Sequence, residues 1–390
     1  MKVLHVIRGL ANSSGTTHIV VPLSEAQARL GCKVTVMHVR KGAEHSVEPD
    51  AALVKSFCFR ETPPMGHLGP SLGFARVLRQ EIRNFDVVHL HAVWNFPTWY
   101  GMRTALRAGV PYMVAPQGSL EPWAYAHGGP LRRLWARGLE LPLLKRAFRL
   151  QALTETEAVQ MQAFGLNVPA TIIPNGVTLD WLKADPDMSP SLATRLQLPL
   201  GSRTLLFLSR LHPKKGLDVL LRAFAAASLE RVVLVVAGDD AGSGYGREMR
   251  ALAAALGLEA RCRFIGEVRG EEKRAVLRGA DAYALTSYSE GLPVAVLEAM
   301  ACGLPVLITP GCNIPQVAAL GPKGVPAGLI VAPDMAAVTA GLRTLFSDQE
   351  QMRAWGEQGQ NLVRERFTWP EIARQTIAVY QRMIEQVKVG

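Results

Sequence analysis

The stretch AYALTSYSEGLPVAVLEAMACGLPVLITP, residues 282–310, sets two short apolar runs, AYALTS and PVLITP, on either side of a loop and a helical segment. Pro293 suits the first helical turn, where a missing N–H costs nothing, and Gly303 suits the stop, so the spacing predicts a helix over about 293–301. Two strands joined through a helix run parallel, because the crossover returns the chain to the same end of the sheet.

Working outward, the same alternation fills the chain. KVLHVI, a helix through VVPLSEAQARLG, and KVTVMHV are followed by VVHLHA, YMVAP and LQALT. The series restarts after residue 175 with TLLFLSR, VVLVVAG, CRFIGEV, AYALTS, PVLITP and GLIVAP. This predicts an α/β fold class of two doubly wound domains, over residues 1–174 and 175–370. PNGVTLDWLKADPDMSPS, rich in Pro, Asp and Ser, reads as the linker, with the hinge near 174–190. In such sheets ligands bind beyond the carboxyl ends of the strands, so two domains facing a cleft would line it with the loops that follow strands.

Composition bounds the partners. The chain has 390 residues, 48% hydrophobic and 19% charged, enough for two domain-sized cores. A net charge of +10 favours anionic partners such as phosphorylated metabolites, nucleic acid or an acidic membrane face. The five cysteines are scattered without CxxC spacing, which suggests neither a disulfide framework nor a zinc site and fits a reducing, cytoplasmic setting. VLHVI, interrupted by Arg8, is too short for a signal-peptide core, and no run reaches the ~20 apolar residues of a membrane span, so neither export nor spanning is expected. The sequon at Asn12-Ser13-Ser14 then carries no meaning.

Two carboxylates stand out in the opening stretch. Glu290 lies at the mouth of the expected helix and Glu298 about two turns along, on the order of 8 to 12 Å apart at ~1.5 Å per residue. The backbone around Gly291, Leu292, Pro293 and Val294 forms the helix N-terminus, suited to a phosphate or a sugar oxygen. One carboxylate could accept hydrogen bonds from a hexose and the other from a ribose; alternatively Glu290 complements the helix dipole and Glu298 is a solvated helix residue. In LFLSRLHPKKGLDVLLRAF, residues 206–224, a strand ends in Ser209-Arg210 and a loop carries Lys214, Lys215 and Gly216. Cations over such a loop suit a diphosphate without a catalytic metal, although the run alone also fits a basic surface loop.

SRLHPKKGLD, VVAGDD, FIGEV, SYSEGLPVAVLEAMACGLPVL, GCNIPQV and FTWPEIARQTIAVY occur in the order and spacing of the retaining glycosyltransferases of family 4, and the chain resembles that family over almost its whole length. The resemblance implies the GT-B fold, two Rossmann-like domains with a C-terminal helix, about 371–390, crossing back to the first domain. It implies sugar transfer with retention from a nucleotide-sugar co-substrate, with no metal and no further cofactor, to a glycan or lipid-linked acceptor in cell-surface polysaccharide assembly. Carried over residue by residue, Arg210 and Lys215 neutralise the departing diphosphate, Glu290 holds the transferred sugar and Glu298 the ribose. In ANSSGTTH, Gly15 alone stands where the family has a glycine pair, as a donor-phosphate contact. His91 and Gln117 fall on the acceptor side, Gln117 where many relatives carry histidine; glutamine cannot titrate near neutral pH, so no general acid or base is assigned. His89 and His91 suggest a metal only with a third ligand, which the sequence does not reveal; a structural pair is the simpler reading.

Other patterns are set aside. GSGYG at 242–246 lacks the GxGxxG spacing and the later acidic residue of a dinucleotide loop and reads as a flexible loop. Asp185-Pro186-Asp187 sits in the linker, not at a strand end, and reads as a turn. LRRLWARGLELPLLKRAFR, residues 131–149, holds six Lys/Arg among Leu, Trp and Phe, and fits either an anionic membrane surface or packed core with a basic face; Pro142 divides it. A GT-B epimerase or phosphorylase is the alternative function. A nucleic-acid binder needs exposed aromatics among the basic residues, whereas the aromatics here sit in apolar periodic segments, so no nucleic-acid partner is expected. A glycosidase needs two carboxylates about 5 to 9.5 Å apart across one bond, unlike this pair beside one helix.

Overall fold

In the computed structural model every residue is described except 12–14, 41, 43–45, 64–67, 121–129, 184–190 and 390. The Asn12-Ser13-Ser14 sequon and Asp185-Pro186-Asp187 lie outside the described residues. The chain divides into two compact units, Met1–Gly176 with Trp369–Gly390, and Val177–Thr368.

The first unit carries β1 (Lys2–Ile7), β2 (Lys33–Arg40), β3 (Val54–Arg60), β4 (Val87–His91), β5 (Tyr112–Ala115), β6 (Arg149–Ala152) and β7 (Ala170–Ile172), all parallel, in the order β3-β2-β1-β4-β5-β6-β7. Its main helices are α1 (Thr17–Arg29), α2 (Leu72–Glu81), α3 (Phe96–Ala108) and α4 (Glu155–Ala163). Side chains alternate across the sheet, so β1 feeds two cores. Leu4 and Val6 join Phe74, Leu78 and Met102 of α2 and α3 on one face, while Val3 and Ile7 join Val20 and Leu23 of α1 and Trp369, Tyr380 and Met383 of the last helix on the other.

The second unit carries β8 (Arg203–Leu208), β9 (Val232–Ala237), β10 (Cys262–Gly266), β11 (Ala282–Leu285), β12 (Val306–Ile308) and β13 (Gly328–Ile330), parallel, in the order β10-β9-β8-β11-β12-β13. Its main helices are α5 (Leu217–Ala227), α6 (Tyr245–Ala255), α7 (Gly270–Gly279), α8 (Val294–Ala301), α9 (Met335–Ser347) and α10 (Gln349–Arg366). Central strands covered on both faces read as unbroken apolar runs, and VVLVVA of β9 is buried throughout. The last helix, α11 (Trp369–Val389), belongs to the first unit, where it packs against α1.

Each sheet reverses its winding once, between β1 and β4 and between β8 and β11. Such switch points open a crevice at the carboxyl ends of the strands. All five cysteines are free thiols, and among the described residues no helix is long and apolar enough to cross a membrane.

Candidate active site

At the second unit's switch point the chain leaves β8 through Ser209, whose N–H donates to the Ala237 carbonyl (3.1 Å), and the exposed Arg210. It turns through Pro213–Lys215, where the His212 ring accepts from the Lys214 N–H (3.1 Å), and enters α5 at Gly216. Gly216 has φ +67°, and a Cβ there would lie 2.2 Å from the Thr286 carbonyl oxygen. Only glycine lets this loop lie against the end of β11. Thr286 Oγ1 donates to the Gly216 carbonyl (2.8 Å) and the Tyr288 N–H to the Lys214 carbonyl (2.9 Å), joining the cationic loop to the carboxylate loop.

Glu290 sits at that junction. Its Oε1 receives Lys215 Nζ at 2.5 Å and Ser287 Oγ at 2.6 Å, with the two charged side chains only 11% and 13% exposed. The loop after β12 fixes the backbone: the Glu290 N–H donates to the Gly311 carbonyl (2.8 Å), Asn313 Nδ2 to the Glu290 carbonyl (2.5 Å) and Thr309 Oγ1 to the Ser287 carbonyl (2.5 Å). A Cβ on Gly311 would meet the Ser287 and Tyr288 carbonyls at 2.5 Å. Three loops thus hold one carboxylate, and partial burial makes its charge matter more than it would in water.

The helix beyond begins at Val294, one residue later than expected, because Pro293 takes an extended ψ of 102° as the N-cap. Pro293 has no N–H and no side-chain acceptor to cap the helix, so the donors at this mouth come from its neighbours. Leu292 and Pro293 are buried; Gly291 and Val294 are half-buried. The alternative of a solvated Glu298 is corrected: α8 is covered on nearly all sides, and Glu298, 7% exposed, has Lys273 Nζ at 2.5 Å from Oε2. Lys273 comes from α7 and, with Arg274, lies over the Trp181 ring, 5.7 and 5.5 Å from its centroid. Each glutamate therefore has its own lysine. Arg210 has no carboxylate partner among the described residues, which leaves the positive excess that an incoming anion needs.

The first unit's switch point is different in character. Gly15 lies in an exposed turn before α1 with nothing near its Cβ position, so packing does not demand glycine there. Gln117 follows β5 at φ +53°, its Nε2 3.4 Å from His91 Nδ1. The expectation of a histidine pair is corrected to a trio. His5 stands opposite His89 in the parallel register of β1 and β4, and its Nδ1 is 2.8 Å from His91 Nε2. Gln27 Oε1 lies 2.8 Å from His5 Nε2, and the Tyr380 hydroxyl 2.6 Å from His89 Nδ1. Burial pulls all three imidazoles below their ordinary range, His5 to about 4, so they are neutral at pH 7.

Sequence reading missed Glu140 altogether. Buried, and pushed up to about 7 by that burial, it accepts from the Trp94 N–H (2.6 Å), the Asn95 N–H (2.8 Å) and Trp135 Nε1 (3.1 Å). It so holds a loop in which Ala92 and Trp94 both have φ above +60°. The 131–149 segment forms Pro130–Trp135, a π-helical turn Ala136–Glu140 and Leu141–Leu144; Ala136 and Leu144 are buried, while Leu134, Leu139, Arg133, Arg137, Lys145 and Arg146 are exposed. In GSGYG, residues 242–244 form a loop as expected and the last two lead off α6, which begins at Tyr245; Asp240 accepts from the Gly242 and Gly246 amides at 3.0 and 2.8 Å.

Comparison with known proteins gives the same class from both halves. A family profile described as "Glycosyl transferases group 1" matches residues 190–362, and one described as "Glycosyltransferase Family 4" matches residues 13–181. The chain is 28% identical over 415 residues to D-inositol 3-phosphate glycosyltransferase 2 of Catenulispora acidiphila, covering 97% of this chain and 92% of that protein. Sucrose-phosphate synthase of Thermosynechococcus elongatus superposes with a TM-score of 0.75 at 20% identity over 99% of both chains. HepE of Anabaena, in complex with UDP and glucose, gives 0.73 at 19% identity over 98% of this chain and 100% of that one. The fold is GT-B. The class that fold and matches together support is a group 1 glycosyltransferase.

Proposed function

We propose that the chain transfers a sugar from a nucleotide-sugar donor, with retention of configuration, to a glycan or lipid-linked acceptor in cell-surface polysaccharide assembly. The observation that carries this reading is the Lys215–Glu290 pair, held at the second unit's switch point by three loops beside the N-terminus of α8 and near Arg210, which has no carboxylate partner among the described residues. The UDP and glucose bound to the structurally similar HepE lend it support. As the bond from sugar to diphosphate lengthens, negative charge grows on the leaving group, and Arg210, Lys215 and the amides near Gly291 and Leu292 stabilise it without a metal. Lys215 turns from Glu290 to the phosphate, which frees Glu290 to hold the sugar; Glu298, positioned by Lys273, accepts from the ribose. Ser209, Pro293 and Val294 shape the pocket wall, and Gly15 lies on the donor side of the first unit. His91 and Gln117 address the acceptor, and the basic, leucine-bearing face of 131–149 rests on the inner face of an anionic membrane.

The test follows nucleotide release from a panel of nucleotide sugars, with and without glycan and lipid-linked acceptors. Acceptor-dependent release is expected, lowered by roughly 10²-fold or more in Lys215→Ala and Glu290→Gln. Near-normal transfer by both variants contradicts the assignment. Release as free sugar phosphate, or epimerised donor without release, selects the phosphorylase or epimerase instead.

A further inference from the structure

A second group of side chains at the far edge of the first unit has ligand chemistry that the sugar-transfer reading does not use. His38 on β2 and Cys58 on β3 stand opposite each other in the parallel register, so both project from the same face of the sheet. Glu48 reaches them from the segment that follows the Ala11–Ser46 bridge. One ligand atom from each of the three lies within 4.8 Å of the others. Glu48 is oriented from outside: Ser56 Oγ donates to its Oε2 at 2.5 Å, turning Oε1 toward His38 Nε2 at 2.9 Å. His38 is 0% exposed; its Nε2 has the Glu48 carboxylate at 2.9 Å, and among the described residues its Nδ1 has no hydrogen-bond partner. A buried imidazole left so is costly unless something else takes its lone pair. Glu48 and Cys58 are exposed, which leaves a way in from solvent.

We propose that His38, Glu48 and Cys58 bind one divalent cation of the borderline-soft zinc class, with water in the fourth position. Nitrogen, oxygen and sulfur donors together select such an ion over Mg2+ or Ca2+, which take oxygen alone. Binding releases the Cys58 thiol proton to solvent and forms the metal–sulfur bond. Thiolate and carboxylate then supply two negative charges, and nearby Arg40 cancels one, so the site stays attractive to a dication. The buried His5, His89 and His91 are a poorer candidate, since their nitrogens are mostly engaged with one another, Gln27 and Tyr380.

Full-length protein stripped with a chelator and titrated with Co2+ is expected to bind one equivalent, with the near-ultraviolet band of thiolate-to-cobalt charge transfer, and Zn2+ is expected to displace it. Cys58→Ser abolishes the band and Glu48→Gln weakens Co2+ binding by at least ~10-fold, while Cys32→Ser changes neither. Circular dichroism confirms that each variant is folded. Absence of the band in the wild type, or a band that survives Cys58→Ser, overturns the proposal, and neither outcome bears on sugar transfer.

Discussion

Lys215 and Glu290 lie 75 residues apart in the chain and 2.5 Å apart in space. Both were legible as candidates because each sits in a short run of distinctive residue types, a doubled lysine before glycine and a carboxylate before an apolar helix. Their partners were not. Lys273 and Ser287 carry no signal of their own, and His5 is legible only once β1 is known to lie beside β4. His5 also yields a pH prediction. Burial depresses its pKa from 6.5 to about 4, so between those values the unfolded chain binds a proton that the folded one refuses. The stabilisation is complete above pH 6.5 and is lost as pH falls toward 4. Urea midpoints followed by tryptophan fluorescence should therefore drop across that window in the wild type and drop less in His5→Gln. Equal slopes would contradict a neutral, buried His5.

At the level of elements, the alternation of strand and helix was written in the chain, and the expected helix over 293–301 differs from α8 by one residue at a proline. Sequence patterns do not state which loops touch; strand order does. By putting β8 beside β11 and β11 beside β12, the sheet stacks the Lys215, Glu290 and Gly311 loops, and the glycines mark the contacts. Gly216 and Gly257 make a controlled comparison, since both have φ +67° but only Gly216 has an atom within 4 Å of its Cβ position. Gly257→Ala should cost the backbone strain alone, about 1 to 2 kcal/mol. Gly216→Ala adds a 2.2 Å clash with a fixed carbonyl and should lower the thermal midpoint further, with loss of transfer. Equal midpoints for the two variants would mean that the cationic loop is not pressed against β11.

Over the whole molecule the charge of +10 narrowed the partners to anions without choosing among them. Its distribution is more informative. Among the described residues Arg210 has no carboxylate partner, at a site where two glutamates already hold two lysines, and a separate cluster, Arg133, Arg137, Lys145 and Arg146, lies in the segment that exposes Leu134 (71%) and Leu139 (41%). That second cluster should make the protein sediment with liposomes containing anionic lipid, less at high salt and less in Arg133→Glu/Arg137→Glu. No sedimentation at any salt concentration would remove the membrane from the proposal. The proposed function requires the second unit's switch point to receive a pyrophosphate ester. A crystal structure with a bound nucleotide sugar tests it most directly, and the account predicts the diphosphate against Arg210, Lys215 and the amides before α8, with Glu290 on the sugar and Glu298 on the ribose. A donor bound elsewhere, or Lys215 still closed on Glu290 with the diphosphate out of reach, would contradict it.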